Sequence, residues 1–443
     1  MLHHHAHQLA AFTASGWEEA AVLVIDSPGE RQATTIARAS GADQPRVRTL
    51  AALRDPASLG YVYGAVTGHL GWRRGDEEGT VMALAALGDP ARFCDLLARG
   101  VPLTPGGFAV SPACFPPRTL LPGSPRVSPR FVAETCPPRD PGDPVTRVHQ
   151  DLAAALQERT GEVMVHLARR ARQLTGPRRL CLGGGVAANC VGIGQIVDEG
   201  IFEEVFVPPA PGDAGTALGA AVAVHAGRRG SGPLAGIAGQ RYLGPAFPWT
   251  CPDLTGWPGL QARAVDRDAA GFLAGQLAAG VIAGVFRGRV EAGPRALGNR
   301  SILASPLDPG VAGRLNAAVK FREPFRPFAP VVTAGRAAEF FTLGQEAPFM
   351  SMASGVTSLA RQRIPAIVHA NGTARVQTVT PAQNPFLHEV LEAFARRTGV
   401  PVLINTSLNV KGQPICGTPE MALECLSGSG LDALLLEGWW ITR

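Results

Sequence analysis

The strongest constraint on the fold is a repeated pattern in which a buried strand runs into a glycine-rich turn and then into a helix. Residues 179–182 predict a short strand followed by three glycines at 183–185 and a helix. Residues 204–207 predict a second strand, followed by a loop at 211–215 and another helix. Because this alternation is typical of α/β proteins, the sequence predicts an α/β fold.

The two glycine-rich turns are also candidates for nucleotide binding. Glycine lets the backbone approach a ligand closely, and the start of a helix offers free N–H groups to phosphate or ribose. Turns that serve only as tight connections are the alternative. The candidate residues are Gly183, Gly184, Gly185, Asn189, Gly212 and Gly215.

Composition narrows the class of protein. The 443 residues suffice for two or three domains, and the net charge of +5 is small for that length. Without a basic stripe, nucleic acid is not an expected partner. The eight cysteines form no CxxC pair and no signal peptide is evident, which favours a cytoplasmic protein. Residues 269–286 are apolar apart from Gln276, but they predict a buried helix and strand rather than a membrane span.

Histidines near the start of the chain suggest a metal site. His3 and His7 are four residues apart, so a helix would place both imidazoles on one face. A carboxylate would complete a two-histidine, one-carboxylate set suited to iron(II) among other metals, and Asp213 in its glycine-bounded loop is the candidate. A histidine-rich start without a metal, or a tag remnant, is the alternative.

Cationic residues in the second half lie among apolar and aromatic residues rather than on a charged face. Arg295 belongs to the segment GPRALG, and Lys320 and Arg322 belong to VKFREPF. Arginine offers a planar fork matched to phosphate or carboxylate, and lysine supplies a point charge. The pattern predicts an anion pocket, with a solvated basic surface as the alternative.

A polar cluster follows a predicted strand near the C-terminus. Residues 402–404 predict a buried strand, and Asn405, Ser407 and Asn409 come directly after it. Hydroxyls and amides at a strand end are well placed to meet a ligand, although a capped turn would produce the same pattern.

Seven segments together resemble one family, the O-carbamoyltransferases of nodulation-factor, cephamycin and aminoglycoside biosynthesis. They occur in the family's order and extend over essentially the whole chain. They are HHHAHQLAAF (3–12), CLGGGVAANC (181–190), VPPAPGDAGTALGAA (207–221), GRVEAGPRALGNRSILASP (288–306), VKFREPFRPFAPVV (319–332), VHANGTARVQTV (368–379) and INTSLNVKGQPI (404–415).

The resemblance implies a truncated actin-like ATPase (ASKHA) domain at residues 1–250 and a YrdC-like α/β domain at residues 260–443. VKFREPFRP is similar to the lysine-x-arginine signature of YrdC domains, and NTSLN to their Thr-Ser-x-Asn signature. In the implied mechanism, carbamoyl phosphate and ATP, with Mg²⁺ accompanying the ATP, give carbamoyl-adenylate in the second domain. The first domain then transfers the carbamoyl group to a hydroxyl of a small molecule, which we expect to be a secondary metabolite such as an antibiotic.

The resemblance also assigns roles to the candidate residues. The expected metal ligands, for an iron-type ion, are His3, His7 and Asp213. The expected anion clamps are Arg295, Lys320, Arg322 and Arg375. The expected hydrogen-bonding residues around the second-domain substrates are Asn405, Ser407 and Asn409.

Several departures from the family pattern bear on the first domain. Family members begin with a further stretch ahead of the histidines, so we expect a first lobe with an exposed sheet edge, completed by a corrected start site or a partner chain, or else impaired. Residues 25–30 and 80–86 differ from the family motifs, and Asn371 stands where aspartate is common. These departures favour adenylation over transfer.

Four other functions compete with this interpretation. A threonylcarbamoyl tRNA-modifying enzyme would share both folds, but the GPRALGNRS and FREPFRPFAP segments favour the small-molecule branch. A hydrogenase-maturation carbamoyltransferase would bring CxxC pairs, which the sequence lacks. A nucleotide-binding remnant that needs a partner chain is the non-enzymatic alternative. A glycoprotease-like metallopeptidase is disfavoured because the histidines do not form HExxH.

Overall fold

The computed structural model describes residues 1–117, 126–228, 234, 237, 239–247, 253–265 and 268–443. The chain divides into two compact units, Met1–Gln240 and Arg241–Arg443. Each unit combines helices with a mixed sheet, which confirms the predicted α/β class. Cys251 and residue 250, the expected end of the first domain, lie outside the described residues. Within the described ranges, every helix is too short or too polar to cross a lipid bilayer.

The first unit contains eight helices and seven strands among its described residues. The helices are α1 (His3–Ser15), α2 (Leu59–His69), α3 (Glu78–Ala85), α4 (Cys94–Gly100), α5 (Pro129–Glu134), α6 (Arg147–Thr175), α7 (Cys190–Asp198) and α8 (Thr216–Gly227). The strands are β1 (Glu19–Gly29), β2 (Gln32–Ser40), β3 (Arg46–Arg54), β4 (Leu103–Thr104), β5 (Gly107–Phe108), β6 (Arg179–Gly183) and β7 (Glu204–Phe206).

The five-stranded sheet of this unit has the order β3-β2-β1-β6-β7. Strands β1, β2 and β3 pair antiparallel, whereas β6 pairs parallel with both β1 and β7. Because parallel strands end at the same edge of a sheet, the end of β1 lies beside the glycine turn that follows β6. This edge carries the polar residues described below.

Some local predictions for this unit were wrong. The Pro28-Gly29 pair is typical of a turn and predicts one here, but both residues belong to β1, because a register shift between Ile25 and Gly29 lets the strand continue. The prolines of residues 101–146 predict a long loop or extended excursion, but the described part of this stretch includes β4, β5 and α5. The helix predicted from Val186 begins at Cys190, after a 3₁₀ turn.

The second unit contains six helices and nine strands among its described residues. The helices are α9 (Ala269–Ala278), α10 (Val311–Arg314), α11 (Ala337–Phe340), α12 (Ser358–Arg363), α13 (Pro385–Thr398) and α14 (Pro419–Ser427), with a π-helical turn at Leu315–Lys320. The strands are β8 (Gln261–Ala264), β9 (Ala283–Phe286), β10 (Arg300–Ala304), β11 (Ala329–Thr333), β12 (Met352–Gly355), β13 (Thr373–Val379), β14 (Val402–Ser407), β15 (Ala433–Leu436) and β16 (Trp439–Thr442).

These nine strands form one sheet in the order β12-β13-β11-β14-β10-β9-β15-β16-β8. Apolar clusters cover both faces, and one of them includes Val331, Leu403 and side chains of α9 and α13. Asn405 and Ser407, predicted to follow a strand, lie inside β14 because their backbones pair with β10. Their side chains therefore belong to a sheet face rather than to a loop.

Candidate functional site

Helix α1 brings two histidines of the first unit together. His3 and His7 are one turn apart, and their Nε2 atoms lie 3.1 Å from each other. The helix packs closely on α8, since a Cβ built at Gly219 would lie 1.9 Å from the carbonyl oxygen of Ala6. Only glycine permits this approach, so the packing fixes where the histidines point.

Asp26 on β1 contacts both histidines. Its Oδ1 accepts hydrogen bonds from the backbone N–H groups of Ser27 (2.8 Å) and Gly185 (3.0 Å). Its Oδ2 lies 3.0 Å from Nε2 of both His3 and His7. Burial acts to raise the pKa of Asp26, but hydrogen bonds from His7, Gly185 and His3 outweigh it and lower that pKa to about 2. The carboxylate is therefore charged at neutral pH.

Asp213 is the fourth member of this cluster. It lies at the start of a 3₁₀ turn, and its Oδ1 is 3.5 Å from Nε2 of both histidines. One donor atom from each of the four residues lies within 4.8 Å of the others. Asp213 was predicted from the sequence as the one carboxylate of the set, whereas Asp26 was missed. The sequence signal that could have identified Asp26 is a carboxylate directly after the buried run of residues 20–25.

The geometry of this cluster fits a divalent cation. Imidazole nitrogens and carboxylate oxygens suit zinc, manganese and iron alike. With metal–ligand bonds of about 2.1 Å, neighbouring donors stand about 3.0 Å apart in an octahedron and about 3.4 Å apart in a tetrahedron. The contacts among His3, His7, Asp26 and Asp213 that lie between 3.0 and 3.5 Å match these spacings. The choice of iron over the other metals stays a prediction.

The two glycine-rich turns meet beside this cluster. Gly184 donates its N–H to the carbonyl of Pro211 at 2.8 Å, which joins the two turns. Gly184 has a φ of 88°, and a Cβ there would lie 2.3 Å from the carbonyl oxygen of Ile25. A Cβ on Gly212 would lie 3.9 Å from the Cα of Gly185. Both turns therefore adjoin the metal-binding residues at the same sheet edge.

Two of the residues predicted to bind nucleotide make local structural contacts. The Asn189 side chain accepts the N–H of Gly192 at the start of α7 and exchanges two hydrogen bonds of 3.0 Å with Gln157. A Cβ on Gly215 would lie 2.1 Å from the carbonyl oxygen of Ala210. These contacts account for both residue types, and a nucleotide at these turns stays a prediction.

In the second unit, Lys320 is buried at the end of the π-helical turn, with 5% of its surface exposed. Its Nζ donates to the Oδ1 (2.7 Å) and carbonyl oxygen (3.0 Å) of Asn409, to the Ser407 Oγ (3.2 Å) and to the Ser407 carbonyl. Burial, with a smaller contribution from Arg322, lowers the pKa of Lys320 to about 7. The predicted lysine, serine and second asparagine thus form one group.

Two predicted arginines lie near Lys320. Arg322 donates its Nε to Oδ1 of Asn316 at 2.7 Å and stacks over the ring of Phe328 at 4.5 Å. Burial lowers its pKa to about 9, and the charges of Arg326 and Arg375 act in the same direction. Arg375 on β13 is half-buried, and within the described residues its Nε has no hydrogen-bond partner. Mutual repulsion among buried cations is relieved by an anion.

Arg295 belongs to a loop that Glu291 holds in place. Glu291 is buried, and its Oε1 accepts hydrogen bonds from the backbone N–H groups of Leu297 (2.8 Å), Asn299 (2.9 Å) and Arg300 (3.0 Å). Arg295 itself is half-buried in this loop. Glu291 lies in the family-like segment GRVEAGPRALGNRS, but it was not among the predicted site residues.

The same loop contacts the polar end of the sheet. The carbonyl of Ala296 accepts from Nδ2 of Asn405 at 3.2 Å, and the carbonyl of Leu297 accepts from Nε2 of Gln377 at 3.2 Å. Asn405 and Gln377 are joined by a hydrogen bond of 2.7 Å. Gln377 was also missed, since a lone glutamine in a strand gives no signal in one sequence.

The first unit thus contains a histidine–carboxylate cluster, and the second contains a buried cation cluster. Comparison with known families specifies the class. Residues 1–102 and 131–222 match the carbamoyltransferase N-terminus family, and residues 274–443 match the carbamoyltransferase C-terminus family. The chain therefore belongs to the carbamoyltransferase family of enzymes.

The chain is also similar to individual known proteins. The chain is similar to nodulation protein NolNO of Sinorhizobium fredii, with 38% identity over all of this chain and 63% of that protein. It is similar to nodulation protein NolO of Bradyrhizobium diazoefficiens, with 37% identity over 98% of this chain and 78% of that protein. A solved structure of full-length HypF in its phosphate- and nucleotide-bound form has 17% identity and a TM-score of 0.28, over 40% of this chain and 22% of that one.

Proposed function

We propose that the chain is an ATP-dependent O-carbamoyltransferase whose second unit forms carbamoyl-adenylate from carbamoyl phosphate and ATP. The observation that supports this most is the cation cluster of Lys320, Arg322 and Arg375 beside the hydrogen-bonding side chains of β14. Both substrates are polyanions, and fixed cations in a partly desolvated site stabilise charge that develops during phosphoryl transfer. Hydrogen bonds that Lys320 donates to Ser407 and Asn409 orient the lysine.

The proposed reaction has a defined balance. Carbamoyl phosphate loses its phosphate to water, and an oxygen of the resulting carbamate attacks the α-phosphorus of ATP. The bond from that phosphorus to pyrophosphate breaks, so phosphate and pyrophosphate are both released. An acceptor hydroxyl then attacks the carbamoyl carbon and AMP leaves. In this sequence Lys320, Arg322, Arg375 and Arg295 bind and orient the anionic groups.

The first unit is proposed to support transfer to the acceptor, a small-molecule hydroxyl. A divalent cation held by His3, His7, Asp26 and Asp213 would polarise a carbonyl or lower the pKa of a bound hydroxyl. The turns around Gly184 and Gly212 are the proposed contacts for a nucleotide, since both adjoin that cluster. Hydrogen bonds from His7, the Gly185 N–H and His3 keep Asp26 charged, and the backbone N–H groups of Ser27 and Gly185 orient its carboxylate.

The test is to incubate the purified chain with ATP, Mg²⁺ and carbamoyl phosphate without an acceptor. We expect phosphate and pyrophosphate in equal amounts and a carbamoyl-adenylate signal in mass spectrometry. Release of phosphate without pyrophosphate would mean hydrolysis alone and would refute adenylation. Binding of ATP without release of either product would favour the nucleotide-binding remnant instead.

A further inference from the structure

One buried acceptor at the inner end of the second-unit site has no partner among the described residues. Asn405 is 1% exposed, and its Oδ1 accepts no hydrogen bond. Asn405 lies two residues before Ser407 on β14, so their side chains are on the same face of the sheet, about 7 Å apart along the strand. The Oγ of Ser407 contacts Lys320, so the lysine lies next to the residue that neighbours Asn405 on this face.

Neighbouring carbonyls fix the orientation of this amide. Nδ2 of Asn405 lies 3.2 Å from the carbonyl oxygen of Ala296, and a carbonyl can only accept, so the nitrogen must face it. Gln377 is fixed in the same way, because its Nε2 lies 3.2 Å from the carbonyl oxygen of Leu297. Turning either amide over would set oxygen against oxygen. The atom left bare is therefore an acceptor and cannot act as a donor.

The surroundings hold the acceptor rigidly. Asn405 is braced by Gln377 at 2.7 Å, and both side chains are bonded to the loop that Glu291 fixes through three backbone N–H groups. A buried acceptor that is left unpaired destabilises the folded protein. Because the acceptor cannot turn towards another donor, a ligand that brings an N–H or O–H to this point removes that destabilisation.

The ligand must combine an anionic end with a hydrogen-bond donor. Lys320, Arg322 and Arg375 supply cationic donors for the anionic end. Carbamoyl phosphate carries an NH₂ group where acetyl phosphate, of nearly the same shape and charge, carries a methyl group. A methyl group against Asn405 Oδ1 would leave the acceptor unpaired, and sites of this kind reject analogues that lack the donor.

We propose that Asn405 Oδ1 accepts a hydrogen bond from the carbamoyl NH₂ group and that this contact makes the site select carbamoyl phosphate over other acyl phosphates. The inference rests on the proposed function, since it concerns the same substrate and site. It adds a specificity-determining contact, separate from the cations that bind phosphate.

The experiment compares carbamoyl phosphate with acetyl phosphate in the wild-type chain, Asn405→Leu and Tyr242→Phe. Tyr242→Phe is the matched control, because the tyrosine hydroxyl donates to the carbonyl of Leu297 at 3.0 Å and so supports the same loop without touching Oδ1. The measured quantity is kcat/KM for phosphate release with ATP present. The wild type should prefer carbamoyl phosphate by about 100-fold or more, as expected for a buried acceptor that needs a donor.

In Asn405→Leu, kcat/KM for carbamoyl phosphate should fall by about 100-fold while that for acetyl phosphate stays the same or rises. Tyr242→Phe should lower both values together and keep their ratio. An equal loss for both substrates in Asn405→Leu would overturn the inference, since it would mean that the asparagine only supports the loop.

A binding measurement keeps the inference open to refutation if Asn405→Leu does not fold or the wild type shows no turnover. Calorimetry on the wild-type chain, without ATP, compares the Kd values of the two acyl phosphates. If carbamoyl phosphate binds at least tenfold more tightly than acetyl phosphate, the result supports the contact with Asn405. This holds even if the absence of pyrophosphate release has refuted the proposed function. Equal affinities overturn the contact even in an enzyme that adenylates.

Discussion

The two polar centres of this chain are built from opposite charges. In the first unit, four oxygen and nitrogen donors of His3, His7, Asp26 and Asp213 converge within 4.8 Å. In the second unit, Lys320 donates to oxygens of Ser407 and Asn409, and the positive charges of Arg322 and Arg375 lie close by. We therefore expect a cation at the first centre and an anion at the second.

Burial acts differently on the two centres. Burial of Asp26 is outweighed by its hydrogen bonds, so the pKa of this carboxyl falls to about 2 and the charge is retained. At Lys320 burial prevails and lowers the pKa to about 7, so half of the charge is lost near neutral pH. The first centre therefore keeps its charge without a ligand, whereas the charge of the second depends on the ligand.

The largest effect should come from Lys320→Met, which removes the buried ammonium but keeps a side chain of similar length. We expect carbamoyl-dependent pyrophosphate release to fall by about 100- to 1000-fold, the usual loss when one charge-stabilising donor is removed. Metal content should not change, because the lysine belongs to the other centre. A coupled pyrophosphate assay and elemental analysis measure the two quantities.

Lys411→Ala is the matched control for this prediction. Lys411 is an exposed lysine that pairs with Glu323 at 3.6 Å, on the same stretch of chain as Asn409. Its loss should leave pyrophosphate release within about twofold, as for other exposed ion pairs. If Lys411→Ala were as damaging as Lys320→Met, overall positive charge rather than the buried ammonium would be responsible.

The next effect concerns metal binding and should follow from His7→Ala. Zinc sites bind with about 10–16 kcal/mol across four ligands, so losing one ligand should weaken metal binding by roughly 100-fold. Pyrophosphate release by the second unit should persist, while transfer to an acceptor hydroxyl should be lost. Metal titration with zinc, manganese and iron(II) also ranks the three ions.

His5→Ala provides the control for His7→Ala. His5 lies on the same helix, but it contacts Gln8 at 3.3 Å and is outside the four-residue cluster. Metal affinity should be unchanged in His5→Ala and weakened in Asp213→Asn, whose side chain is 78% exposed and can be replaced without disturbing the core. Equal affinities in all of these variants would remove the metal site from the first unit.

Much of the first centre could be predicted because its signals are local. The spacing of His3 and His7 depends only on helix geometry, and the turn around Asp213 is marked by its glycines. Asp26 was not predicted because its role depends on the pairing of β1 with β6, which are distant in sequence. This pairing brings the N–H of Gly185, just after β6, to the Asp26 carboxylate. One sequence records no such pairing.

The second centre was predicted at the level of charge but not of orientation. Lys320, Arg322 and Ser407 were identified from motifs, and the structure groups them. The bare acceptor of Asn405 could not be predicted, because it depends on which carbonyls of the 291–300 loop face the amide. Strand β14 was predicted too short because polar residues inside a strand look like the start of a loop.

The smallest effect is a pH dependence that only the second centre should show. In the free protein the pKa of Lys320 is lowered to about 7, and a bound anion raises it because it favours the charged amine. Between these two values binding takes up a proton, so affinity for carbamoyl phosphate should fall as pH rises from 7 to 8.5, by at most about tenfold per pH unit. Calorimetry at pH 8 in buffers of different ionisation enthalpy measures the proton uptake directly.

Arg322 and the thiols of Cys416 and Cys425 also influence the Lys320 amine, so Lys320→Met is the control that isolates the lysine's share of the proton uptake. If proton uptake persists in Lys320→Met, the proton belongs to one of those neighbours. If the affinity for carbamoyl phosphate does not change between pH 7 and 8.5, the lysine is fully charged in the free protein.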